Sequence, residues 1–256
     1  QMRPLALCIG TLLITQRALA TMSISIHNIT DKLKPEDEKY TKALSTAADA
    51  FKEAEALFND DAFIARRGWK KEAETGAGDI VYGKSTPNGK MVTVSTILEG
   101  KVDDVMKETW TGVDSLPSWN ANVDYASYVA ELSDHAQIVT YGSNNVFVIS
   151  GRDVVSARLY RPLPDGGYIM GARSVEVDSK PERDGFVRTH LHLGAMRYRA
   201  NPENANQTRC DTVMMIDLKG MIPQFLVNQI AGKILVLEIE ETVKHFKDLA
   251  EKSTSQ

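Results

Sequence analysis

"PQFLVNQIAGKILVLEIEETVKHF", from Pro223 to Phe246, has the spacing of one long helix, apolar on nearly every side in its first half and striped in its second. A helix at the surface of a globular protein needs a single apolar stripe. The surplus in the first half must therefore meet a second partner: a membrane, another chain or a bound ligand. By helical spacing Val227, Ile230, Ala231 and Ile234 share one face, whereas Leu235, Ile239, Val243, Phe246 and Ala250 continue as an ordinary core stripe.

Working back from that helix, the chain reads as runs of strands broken by Gly, Pro, Asn and Asp turns. "TVMMIDL", "GFVRTHLHL", "GYIMGARSVEV", "DVVSARLYRPL", "AQIVTYG" and "YASYVAEL" precede it, and "KVDDVMKETWTGV" from Lys101 returns to helical spacing. Before that come "GWKKEAET", "DIVYGK" and "MVTVSTILEG", then a helix over Pro35 to Phe58 with acids in its first turns. This order predicts an α+β domain: an antiparallel sheet of about nine strands with helices segregated to one side. A large antiparallel sheet curls, and a curled sheet closed by a long helix leaves a space walled by inward side chains. The helix can then use one side for the sheet and the other as the ceiling of an apolar cavity.

Thirty Lys and Arg against thirty-four Asp and Glu leave a formal charge of -4. That balance lacks the basic field that phosphate backbones select, and it excludes nucleic acid as an expected partner. The two cysteines, Cys8 and Cys210, are too few and too distant for a disulfide framework. The sequons at Asn28 and Asn206 matter only in a secreted chain.

The first twenty-two residues hold Arg3, an apolar run from Leu5 to Ile14, small residues Ala18 and Ala20, and no acid. That outline fits a cleaved signal peptide or a mitochondrial leader, and the run is too short to span a bilayer. With Met22 following, an upstream translation artefact is a third reading. Residues 1–22 are thus expected to be a leader or artefact, 23–34 a linker and 35–252 the folded domain. The expected location is cytoplasmic or membrane-associated, and secreted or mitochondrial if the leader acts as one.

Three segments, "SWNANV" at Ser118, "GRDVVSARLYR" at Gly151 and "IDLKGMIPQFLVNQIA" at Ile216, resemble the START family of lipid-transfer domains. The likeness covers nearly the whole chain outside the leader and is greatest to the sterol-handling branch. It implies a helix-grip fold with an internal apolar tunnel, holding one sterol or another apolar lipid such as a carotenoid. It implies no enzymatic step and no cofactor; the alternative readings are a helix-grip-fold enzyme acting on an apolar substrate and an interaction module whose exposed helix face docks a partner. The implied partners are the lipid and a transient membrane surface, with the carrier a monomer.

The resemblance places Arg158 in the tunnel, on a strand face shared with Val154, Ser156 and Tyr160, opposite Asp153, Val155, Ala157, Leu159 and Arg161. The acid that faces this arginine in sterol carriers is missing, its place taken by Val139 or Tyr141. The implied lining set is Arg158, Ser156, Met170, Asn120, Asn122 and His190, with Val227, Ile230, Ala231 and Ile234 above. Val146, Phe147, Val148 and Ile149 occupy the position of the family's Ω loop and form the expected gate. His190 and His192 share a face with Arg188, but no third metal ligand stands at the spacing a site needs. No Gly-rich phosphate loop, nucleophile elbow, H-E-x-x-H helix or Cys-x-x-Cys pair occurs, so catalysis has no local support.

Overall fold

The computed structural model describes residues 21–146 and 149–254. The expected leader up to residue 20, and Phe147 and Val148 of the expected gate, lie outside the described residues.

The segment expected as a linker is instead a β-hairpin, β1 (Ser23–Ile26) and β2 (Ile29–Lys32). His27 and Asn28 form its two-residue turn at φ 53° and 62°. Both central residues at positive φ are what a tight hairpin turn asks for, and Asn tolerates that region better than most residues. The hairpin is tied down through Asp31 and Leu33, both buried. Helix α1 (Thr41–Phe58) follows, then the short α2 (Asp61–Ile64).

The meander read from sequence forms β3 (Lys70–Glu74), β4 (Ile80–Thr86) and β5 (Gly89–Glu99). Next come helices α3 (Val102–Thr111) and α4 (Leu116–Trp119). The remaining strands are β6 (Val123–Ser133), β7 (Ala136–Ser143), β8 (Arg152–Pro162), β9 (Tyr168–Ser174), β10 (Val187–Arg188), β11 (His190–Asn201) and β12 (Asn204–Asp217), and α5 (Gln224–Thr254) ends the chain. Nine strands run β3-β4-β5-β12-β11-β9-β8-β7-β6, all antiparallel neighbours. Two-residue β10 adds a tenth, parallel to β8.

The helices are not segregated to one side. Helix α1 lies on one face, where Ala47, Phe51 and Ala54 pack with Val155, Ala157 and Leu159 of β8. Its alanines let it come close. At Gly171 of β9 a Cβ would stand 2.5 Å from the Phe51 nitrogen and 2.6 Å from the Ala50 carbonyl, so a side chain there is incompatible with this packing. Helix α5 lies across the other face. Ala231, Leu235 and Ile239 pack on Val81, Val92 and Val94 of β4 and β5. Farther along, His245 Nε2 meets Glu108 Oε1 of α3 at 2.9 Å and its ring stacks on Trp119 of α4 at 4.0 Å. The long helix is therefore anchored on β4 and β5 at one end and on α3 and α4 at the other.

Candidate functional site

Between the hollow of the sheet and α5 lies a cavity of about 350 Å³, within the range of small-molecule sites. Strand β8 runs its length. Arg152, Val154, Ser156 and Arg158 line it, while Val155, Ala157 and Leu159 face α1. From Val154 onward that alternation is the one read from the sequence; Asp153, read as facing the other way, also lines the cavity at its outer end. From Arg152 to Arg158 the strand covers roughly 20 Å at the usual rise per residue.

At the inner end, Arg158 donates from Nη1 to Thr109 O at 3.3 Å and from Nη2 to Trp110 O at 2.8 Å. These are last-turn carbonyls of α3, the negative end of a helix dipole, and they take the place of a carboxylate. The guanidinium also lies 4.7 Å from the centre of the Trp110 ring. Its Nε is buried without a hydrogen-bond partner among the described residues. Burial pulls the arginine pKa down to about 10, so it stays charged at neutral pH. Val139 and Tyr141, the two candidates for the missing acid, both line the cavity.

A carboxyl is present, but on the helix. Glu238 of α5 lines the cavity, and its Oε2 accepts from Asn120 Nδ2 at 2.9 Å. Burial pushes this carboxyl up, the Asn120 bond partly offsets the shift, and Glu241 one turn on adds to it. Burial, and then the Glu238 charge, raise the Tyr141 hydroxyl to about 12. Tyr141 and Glu238 keep accessible surface although both lie deep in the protein; that surface faces the cavity.

At the outer end, Val146 and Ile149 exchange backbone hydrogen bonds of 2.9 Å each, a miniature hairpin. Ile149 packs with Leu218 and Ile230. Arg152 clasps this loop to the connection between β12 and α5. Its Nη1 donates to Ser150 O and Oγ at 2.6 and 2.8 Å, its Nε to Leu218 O at 3.3 Å and its Nη2 to Lys219 O at 3.5 Å. Beside it, Met221 and Phe225 stand 103% and 66% exposed.

Of the residues expected from sequence, Arg158, Ser156, Met170, Asn120, Ile234, Val146 and Ile149 line the cavity. Asn122, His190, Val227, Ile230 and Ala231 do not. Asn122 gives its backbone N–H to Asn120 Oδ1 at 2.9 Å. His190 falls on the far side of its strand because Thr189 and Leu191 take the cavity face. Val227 and Ile230 pack at the mouth with Ile149 and Leu218, and Ala231 packs on β4 and β5. The ceiling begins at Ile234 and continues through Leu235, Glu238, Ile239, Thr242 and Phe246. Glu238 was missed because an acid between apolar stripes reads as solvated; its only signal was its place one turn beyond Ile234. Among the described residues no cluster of His, Cys, Asp or Glu could hold a metal ion.

This architecture has close counterparts. The chain is 47% identical over 234 residues to steroidogenic acute regulatory-like protein 1 of Caenorhabditis elegans, covering 91% of this chain and 90% of that one. It is 27% identical over 175 residues to steroidogenic acute regulatory protein of Xenopus laevis, covering 66% of this chain and 60% of that protein. Among solved structures, human StAR-related lipid transfer protein 5 superimposes with a TM-score of 0.70 at 21% identity, over 82% of this chain and 99% of that one. The model of the START domain matches residues 49–252. The chain belongs to the START family of lipid-binding and lipid-transfer domains, and adopts its helix-grip fold.

Proposed function

We propose that the protein carries one sterol, or a similarly elongated apolar lipid, in the cavity beneath α5 and moves it between membranes as a monomer, without chemical change to the cargo. The observation that carries this reading is an apolar chamber lined by β8 from Arg152 to Arg158, with a guanidinium at its inner end that meets no carboxylate among the described residues. A ligand hydroxyl or carbonyl oxygen is the acceptor such donors call for. The sterol-related name of the nematode relative and the lipid-transfer name of the human structure point the same way.

Energetics favour exchange over storage. Hiding roughly 400 to 600 Å² of apolar ligand surface is worth about 10 to 15 kcal/mol relative to water. A bilayer offers nearly the same gain, so the transfer equilibrium is close to balanced and the slow step is opening the mouth. The exposed Met221 and Phe225, beside the Val146–Ile149 loop, supply the apolar contact with a membrane surface. Among the described residues no helix is long and apolar enough to cross one.

Titration of the purified protein with a fluorescent sterol, followed by mass spectrometry of the recovered lipid, tests this. We expect saturable binding of one molecule per chain and recovery of the lipid unaltered. Absence of saturable binding overturns the carrier reading, and a chemically changed lipid overturns the absence of catalysis.

A further inference from the structure

A cargo with a single polar end leaves Glu238 without a use. This carboxyl lies deep inside an apolar cavity, and no cation contributes to its electrostatics. An unpaired acid in such a place costs folding free energy that a leucine would not. Its Oε2 is held by Asn120, while Oε1 has no hydrogen-bond partner among the described residues. Asn120 has little left to offer: its Nδ2 goes to Glu238 and its Oδ1 accepts from the Asn122 backbone. A second polar group of the lining is Tyr141, whose hydroxyl senses the Glu238 charge and is likewise unpaired among the described residues.

We infer that Glu238 and Tyr141 form a second polar station that receives a ligand hydroxyl, so that the preferred cargo is an elongated lipid oxygenated at both ends rather than at one. The inference rests on the carrier reading. A hydroxyl is the smallest group that can donate to Glu238 Oε1 and accept from the Tyr141 O–H together. A carbonyl or ether accepts only, and an ammonium donates only. The second oxygen belongs at Arg158, where Nη1 and Nη2 each give one N–H to an α3 carbonyl and keep one.

The register sets the spacing of the two stations. Tyr141 pairs with Val154, and Arg158 pairs with Gln137, so they are separated by four positions along β8. At the usual rise their backbone positions lie roughly 13 Å apart along the strand, so a rigid polycyclic lipid lying along β8 passes both side chains and can offer each its own oxygen. A sterol with a hydroxyl on its side chain as well as on its ring system has this form.

The test compares cholesterol with a cholesterol hydroxylated on its side chain, each displacing a fluorescent sterol from the full chain and from its Glu238→Leu and Tyr141→Phe variants. Wild type is expected to bind the dihydroxylated sterol at least about tenfold more tightly, as befits a buried acceptor left unmet by the other ligand. In Glu238→Leu the ratio should fall to near one, chiefly through tighter binding of cholesterol, and Tyr141→Phe should lose part of the preference. A wild-type ratio near one, or a ratio that survives Glu238→Leu, overturns the inference while leaving the carrier reading intact. If neither sterol displaces the probe from wild type, the carrier reading falls and takes this inference with it.

Discussion

Arg158 and Arg161 stand on the same strand, β8, and are buried on opposite faces of it. On the α1 side every guanidinium nitrogen of Arg161 has a partner, one of them a carboxylate. Its Nε donates to Ile26 O at 3.1 Å, Nη1 to Tyr160 O at 2.9 Å and Nη2 to Asp31 and Ile29 O. Asp31 also accepts from Ser133 Oγ at 2.6 Å and faces His135 Nδ1 at 3.5 Å. On the cavity side Arg158 has two carbonyls, an aromatic face and no acid. A buried charge met by a carboxylate holds the fold together, here by fastening the N-terminal hairpin to the sheet. On the proposed carrier reading, the one met by carbonyls alone is left for a guest, and that contrast would separate a structural from a binding residue on one strand.

The contrast can be broken most forcibly at Asp31. Asp31→Ala leaves Arg161 buried without its counter-charge and is expected to cost about 3 to 5 kcal/mol in urea unfolding, while sterol selectivity stays as in wild type. A loss under about 1 kcal/mol would mean that the hairpin clasp is not structural. Arg158→Leu should cost far less, about 1 kcal/mol, since it removes two hydrogen bonds to α3 carbonyls but no ion pair. Its effect should show instead as an altered preference between hydroxylated and non-hydroxylated lipids in a competition titration. Unchanged preference would mean that the arginine does not read the ligand.

The smallest effect concerns pH. The folded-state pKa of Glu238 is raised above its ordinary value of 4.5, so the folded protein holds that proton more tightly than the unfolded chain. The stability from this group is therefore complete below about pH 4.5 and declines as pH rises through the folded pKa. Glu238→Gln should melt higher than wild type near neutrality, with the advantage shrinking toward that lower limit. His192, whose pKa burial lowers, titrates in an overlapping range but cancels when the two proteins are compared. Parallel melting curves across this range would show that the carboxyl is not perturbed.

Much of this was legible in the chain. Alternation along "DVVSARLYR" separated the two faces from Val154 onward, because a strand's period of two leaves only the choice of which face is inward; Asp153, at the cavity's outer end, departs from it. The succession of strands along the chain followed from turn residues at each break, whereas the pairing of β5 with β12 joins segments far apart in sequence. What alternation could not supply was the rotation and reach of α5. Helical spacing groups Val227, Ile230, Ala231 and Ile234, but says nothing of what each meets. Tertiary packing sends the first two to the mouth, the third to β4 and β5, and only the fourth to the cavity. The apolar excess in the first half of that helix thus buries two protein partners, the loop and the sheet margin. The hairpin at Ser23 escaped notice because its strands are short and their anchor, Arg161, lies far away in sequence.

Arg152 has a mechanical consequence. Its bonds to Ser150 on one side and to the Leu218 and Lys219 carbonyls on the other yoke the loop to the root of α5. Drawing the two apart must rupture several contacts in one stroke, so thermal jitter in either piece alone leaves the doorway shut. If the protein is the carrier we propose, passage has a threshold: the chamber is sealed against seepage between encounters, and the surface that separates loop from helix sets the tempo of exchange.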